Sequence, residues 1–209
     1  MLNFVKMRFL QIWETMNQYS ASYVIDHVIF IDRVAIPVEK DLASLLPGKD
    51  DKQGLDGEIV EIRPELIESQ QLVYTLRNRH LKALYYLEKG FGGYALVKGN
   101  KVSGDIWYFP LDKKHSGVHS DVEWLGISYG ENDIYTFDMY LDQRERGKNA
   151  STMLQKGALQ GLQQKGFSKA YGYFWANNVP ALWVHRILKW KELPRVKVSR
   201  FLIFKKVKR

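Results

Sequence analysis

Residues 142–151, Asp-Gln-Arg-Glu-Arg-Gly-Lys-Asn-Ala-Ser, gather three cations, Arg144, Arg146 and Lys148, around one glycine, Gly147. Positive charge beside a residue that lets the backbone come close suits an anion with several oxygens, such as a phosphate group. Just upstream stand Asp138 and Tyr140, a carboxylate and a phenol able to move protons. Downstream stand Asn178 and His185, the second of a type that titrates near neutral pH. His115 and His119 have a spacing that could suit a metal, but no third ligand type lies close in the chain, and no metal site is expected.

These residues need elements to hold them. Tyr135, Phe137, Met139 and Leu141 alternate with Thr136, Asp138 and Tyr140, which predicts a strand with one apolar and one polar face. From Ala150 a helical pattern begins, with Leu154, Ala158 and Leu162 on one face. The basic turn therefore joins a strand to the first turn of a helix. There the leading amides lack intrahelical partners and the helix dipole is positive. Gly147, Lys148, Asn149, Ala150 and Ser151 are the residues whose backbone would meet the anion. An ordinary solvated connection between strand and helix is the other reading of the same turn.

Arg144-Glu145-Arg146-Gly147-Lys148-Asn149 resembles the pyrophosphate motif Gln/Arg-x-x-Gly-x-Gly/Ala of the GNAT superfamily, the acetyl-CoA-dependent N-acetyltransferases. Arg144 and Gly147 match its first two fixed positions; Asn149 departs at the third, with Ala150 one residue later. Asn178-Val179-Pro180-Ala181 resembles a second block, Asn-x-x-Ala, with His185 at the position of the family tyrosine and Lys189-Trp190 where Gly-Phe is usual. The resemblance covers roughly residues 58–209. It implies an α/β (α+β) fold with a mixed, mostly antiparallel central sheet flanked by helices. It implies acetyl-CoA as co-substrate, its arm along the backbone of Met139 and Leu141, its phosphates on the turn, and Asn178 beside the arm. Asp138 is then the first choice for a base, or merely a partner of Tyr140 or a loop; Glu123 is a weaker candidate. His185 or Tyr140 would reprotonate the leaving thiolate, with Tyr173 a further option. Family members with a similar strand spacing and N-terminal extension belong to surface-glycan pathways, which makes an amino sugar the expected acceptor.

The chain has 209 residues, 45% hydrophobic, with no cysteine, so it is expected to fold, without disulfides or thiolate chemistry. A net charge of +8 invites an anionic partner but selects none. The basic tail, Lys197, Arg200, Lys205, Lys206, Lys208 and Arg209, could bind nucleic acid, though charges on an edge strand also block unwanted pairing. The alternative to an enzyme is a non-catalytic module of the same fold that binds nucleic acid or a protein through this surface. No stretch has the length of a membrane span, and the expected location is the cytoplasm.

Residues 1–57 are expected to form an extension, and 58–209 the main domain. Leu2, Val5, Phe9, Ile12, Trp13 and Met16 have helical spacing, suited to packing on the domain, to a homodimer contact, or to a membrane surface or partner. A strand or strand pair is expected over 28–36, ended by Pro37. In the main domain a strand is expected over 59–63, then a helix opened by Pro64 and running to about Leu87, with a break near Asn78. A hairpin follows around Gly99-Asn100. Residues 110–130 are expected as loop with a short strand near 122–125, 170–175 as strand, 180–188 as helix and 198–207 as one final strand.

Overall fold

The computed structural model describes residues 30–45, 57–111, 120–201 and 204–208, together with Trp13 and Met16. Among the described residues ten strands form one sheet: β1 Phe30–Asp41, β2 Glu58–Glu61, β3 Val73–Tyr74, β4 Gly92–Lys98, β5 Lys101–Pro110, β6 Asp133–Leu141, β7 Lys169–Trp175, β8 Lys191–Glu192, β9 Val196–Phe201 and β10 Phe204–Lys208. The main order is β10-β9-β1-β7-β6-β5-β4-β2, with β3 beside β5 and β8 beside β1. Pairing is antiparallel throughout except for β6 with β7 and β3 with β5.

Among the described residues five helices cover the sheet: α1 Pro64–Glu68, α2 Arg77–Glu88, α3 Ser120–Leu125, α4 Ala150–Gln164 and α5 Val179–Ile187. Alternation along β5 assigns the faces. Ile106 and Tyr108 join Leu154, Ala158, Leu159 and Leu162 of α4, with Ala181 and Leu182 of α5 at the margin. Trp107 packs with Ile67 of α1 and Ala83 of α2, and Phe109 with Val122 and Leu125 of α3. The result is a mixed α/β fold with helices on both faces, as the sequence pattern indicates.

Several elements differ from the sequence expectation. β1 runs through Pro37 to Asp41. On one side it pairs with β9 as far as Ala35 and with β8 from Val38, so Pro37 falls between two ladders where its missing N–H has no partner to lose. This strand lies ahead of the expected boundary near residue 57, yet it is hydrogen-bonded on both edges inside the sheet. The expected long helix after Pro64 is two helices, α1 and α2, with β3 between them; Gln70, at φ 58°, turns the chain away after α1. The expected short strand at 122–125 is the helix α3. Its Val122 and Leu125 are buried three apart, and Trp124 Nε1 donates back to Asp121 at 2.8 Å. The expected final strand is the hairpin β9–β10. His115, His119 and the apolar stripe of residues 1–16, apart from exposed Trp13 and Met16, lie outside the described residues.

Candidate active site

β6 and β7 are parallel neighbours only briefly. They pair from Asp133–Tyr135 to Lys169–Tyr171, and among the described residues no rung joins Thr136–Leu141 to Gly172–Trp175. The vertex of this wedge is pinned by Thr136 Oγ1, which donates to the Tyr171 carbonyl at 2.9 Å. Gly172 permits the approach, because a Cβ there would sit 2.9 Å from Thr136 Oγ1. Both strands leave the open end into helices, β6 into α4 and β7 into α5. Two helix N-termini thus lie beyond the carboxyl ends of diverging parallel strands, the usual place for a ligand in such sheets.

The turn from β6 to α4 holds two residues with left-handed backbone. Gly147 has φ 78°, and nothing lies within 4 Å of where its Cβ would be. Asn149, at φ 61°, is the residue before α4, and its side chain makes no capping bond. Asparagine is among the non-glycine residues that best tolerate this left-handed backbone, which accounts for its place where the family motif has Gly or Ala. The first backbone bond of α4 is Met153 N–H to Asn149 O at 3.0 Å, so the amides of Ala150, Ser151 and Thr152 precede it.

The three cations of the turn are not equivalent. Arg144 is spent on Asp142: Nε and NH2 donate to its carboxylate at 3.1 and 2.8 Å, and the Arg144 amide donates at 2.9 Å. These bonds hold the Asp142 carboxyl below its usual range. Glu145, which the sequence reading did not single out, is buried and fixes the turn to β4 through Lys98 at 2.8 Å, with Lys148 at 3.8 Å. Arg146 is exposed and among the described residues has no ion pair.

Asp138 lies in a bulge. Pairing with β5 passes from Phe137↔Trp107 to Tyr140↔Asp105, leaving Asp138 and Met139 opposite Ile106, and Asp138 has φ 49°. The bulge breaks the alternation expected from sequence. Phe137, Asp138 and Tyr140 all contact α2, through Tyr86, Arg79 or Lys82, whereas Met139 and Leu141 pack with the α4 cluster and Thr136 lies near Gln155 and Ala158.

The Asp138 carboxylate accepts from Arg79 NH1 at 3.1 Å and Tyr86 OH at 2.9 Å, and Lys82 Nζ stands at 2.7 Å. Arg79 also bonds the fully buried Asp105. Burial pushes Asp105 up to about 6. For Asp138 burial acts the same way, but Lys82 and Arg79 outweigh it and its pKa falls. Burial lowers Lys82. A carboxylate tied to three donors and made less basic is poorly suited to the expected role of base.

Tyr140 lies over Arg79, whose guanidinium carbon is 4.9 Å from the ring centroid, and burial raises its phenol pKa. His185 is stacked on Phe174 at 4.8 Å and tilted against Trp190 at 5.2 Å. Its Nδ1 lies 2.7 Å from the Ala181 carbonyl, so the proton sits there and Nε2 keeps the lone pair. Burial lowers its pKa, and a neutral ring in this tautomer has no proton for a thiolate. Asn178 caps α5, accepting from Ala181 N–H at 3.2 Å.

Among solved structures, the chain is similar to the GCN5-related glucosamine N-acetyltransferase region of a fungal multi-domain GH3 β-N-acetylglucosaminidase. The TM-score is 0.60 at 16% identity over 82% of this chain and 21% of that one. A tandem GNAT protein of the clavulanic acid biosynthesis pathway gives a TM-score of 0.52 at 13% identity, over 86% and 56% of the two chains. The chain has the GNAT fold. It spans about half the length of the tandem protein and about a fifth of the fungal one. No family model and no curated protein matches the sequence. Among the described residues no helix is long and apolar enough to cross a membrane, and no three potential ligands gather for a metal.

Proposed function

We propose that the protein is an acetyl-CoA-dependent N-acetyltransferase acting on a small amine. One observation carries this reading: the wedge between β6 and β7 opens towards the positive end of α4, where the amides of Ala150, Ser151 and Thr152 precede the first backbone bond of the helix. A diphosphate fits that turn, since Gly147 has open space beside it and Asn149 leaves the helix uncapped. Arg146, with Lys148, Ala150 and Ser151, would hold the phosphates, while Arg144 shapes the turn through Asp142. The backbone of Met139 and Leu141 would face the arm, and Asn178 would flank it.

Acetyl-CoA supplies an already activated thioester, so the protein has only to orient it against an amine and manage two protons. Tyr140, kept protonated by its raised pKa, is the donor this reading assigns to the leaving sulfur. His185, neutral with Nε2 unprotonated, suits taking a proton rather than giving one. Asp138 shapes the bulge and is not assigned as base. The glucosamine N-acetyltransferase region among the similar structures supports an amino sugar as acceptor class. The test is release of free thiol from acetyl-CoA across a panel of amino sugars, aminoglycosides and simple amines. Thiol release that depends on an amine is expected; none with any amine, under conditions where the cofactor binds, would reject the enzyme reading.

A further inference from the structure

On the edge of β1 away from β7, Pro194 and Arg195 lie between two ladders. β8 pairs with β1 at Val38 and Glu39, β9 takes over at Ala35, and Leu193 N–H donates to the Pro37 carbonyl at 2.8 Å. This connection forms one wall of a cavity of about 320 Å³. Another wall is made by Leu125, Gly126 and Ser128, where the chain leaves α3 through Gly126 at φ 69°. The floor is a cross-strand pair, Glu39 of β1 opposite Tyr171 of β7. Tyr171 is 3% exposed, and its hydroxyl donates to the Ser128 carbonyl at 3.0 Å, which ties wall to floor. The cavity lies on the α3 face at the paired end of β6 and β7, and no residue of the turn or the bulge lines it.

The charges around it do not cancel one another. Lys191 Nζ donates to Glu39 Oε1 at 2.7 Å, while Glu39 Oε2 accepts from no described residue. Arg195 is exposed and makes no ion pair among the described residues, although it lines the same cavity as Glu39. A cation and a carboxylate that share a cavity without pairing leave space between them for a molecule with the opposite charges. Leu125, Leu193 and Val196 add apolar surface beside them. Apolar walls with a few convergent charged groups, in a volume at the small end of roughly 300–1,000 Å³, are the features of small-ligand sites.

We propose that this cavity binds an aliphatic α-amino acid. Its carboxylate pairs with Arg195, whose planar fork suits that group, and its ammonium bonds Glu39 Oε2. Its side chain packs on Leu125, Leu193 and Val196. Burial, with Asp133 and Glu39 close by, pushes the Tyr171 phenol up to about 12, so the floor stays neutral. The site is separate from the proposed function. Only Tyr171 touches both places, its side chain in the cavity and its carbonyl receiving Thr136 at the vertex of the wedge.

The experiment is calorimetry on the full chain with three probes: L-leucine, isocaproate, which is the same skeleton without the ammonium, and coenzyme A. It is run for the wild type, Arg195→Gln and Glu39→Gln, with thermal melting of each. L-Leucine is expected to bind the wild type with a Kd below about 1 mM. Either variant is expected to bind it at least roughly tenfold more weakly, the effect of losing one charged hydrogen bond. Isocaproate is expected to bind the wild type roughly tenfold more weakly than L-leucine, a gap that closes in Glu39→Gln. Coenzyme A is expected to bind Arg195→Gln as it binds the wild type. No binding of L-leucine up to about 10 mM, equal affinity of the wild type for L-leucine and isocaproate, or unchanged L-leucine affinity in Arg195→Gln would overturn the inference and leave the proposed function standing. Parallel losses of L-leucine and coenzyme A in Arg195→Gln would place the amino acid in the wedge and overturn it too. A wild type that binds L-leucine as expected but not coenzyme A would uphold the inference and reject the proposed function.

Discussion

Arg79 NH1 lies 3.1 Å from the carboxylate of Asp138, and Asp138 holds a left-handed backbone at φ 49°. A non-glycine residue in that conformation costs about 1–2 kcal/mol and persists where its surroundings fix it. Arg79 does so from α2 by bonding Asp138 within the bulge on β6 and Asp105 on β5, whose partner Tyr140 follows the bulge. The shape of the strand beside the wedge is thus held from the opposite face of the sheet.

Replacing Arg79 by Met would leave two carboxylates in the interior with only Lys82 to offset them. Breaking a buried pair in this way costs on the order of 3–5 kcal/mol. Urea unfolding should show a loss of that order in Arg79→Met, whereas a change within experimental error would mean that the network does not support the bulge.

The two left-handed residues of the turn separate backbone strain from space. Nothing crowds a Cβ at Gly147, so Gly147→Ala should cost about 1–2 kcal/mol through its φ alone. Asn149→Gly should leave stability within about 0.5 kcal/mol of wild type, the gain in backbone freedom offsetting the relief of strain. Paired denaturation curves check both, and a neutral Gly147→Ala would contradict the geometry of the turn.

The cations of the turn should divide by role. Arg146, which has no ion pair among the described residues, is expected to give the larger and more salt-dependent loss of coenzyme A binding when changed to Gln. Arg144→Gln should act mainly by loosening Asp142. Titrations at low and high salt distinguish them; a salt response carried by Arg144 alone would reverse the assignment.

His185 supplies a pH signature of stability. Its folded pKa lies below the ordinary 6.5, so between those two values the unfolded chain binds more protons, and stability falls as pH drops through that window. Asp105, raised to about 6 by burial, works in the other direction: between about 6 and its ordinary value of 3.8 the folded chain binds more protons, and stability grows as pH falls. His185→Phe removes the first effect alone. Melting temperatures from pH 8 to 5 should show the variant gaining on wild type as pH falls below 6.5; parallel curves would mean that the half-buried imidazole is not desolvated between Phe174 and Trp190.

The sequence made the turn legible because its signal is local: a strand pattern, a glycine among cations, then a helical pattern. The hairpin around Gly99, whose φ is 62°, was legible for the same reason. The bulge at Asp138 was not, since it rests on partners in α2 and β5 that only the folded chain brings near. That single irregularity grouped Phe137, Asp138 and Tyr140 on the α2 side and set Asp138 among Arg79, Lys82 and Tyr86. Glu145 could have been noticed as a carboxylate inside a basic turn, but its partner Lys98 lies 47 residues away. The helix at Ser120–Leu125 was missed because six residues show less than two turns of periodicity.

The central claim is that the turn between β6 and α4 binds the diphosphate of coenzyme A. Calorimetry with coenzyme A on the wild type and on Gly147→Asp, with melting curves to show that both are folded, tests it most directly. The expected result is micromolar binding to the wild type that disappears in the variant. Equal affinity in the two folded proteins, or no binding to the wild type, would contradict it.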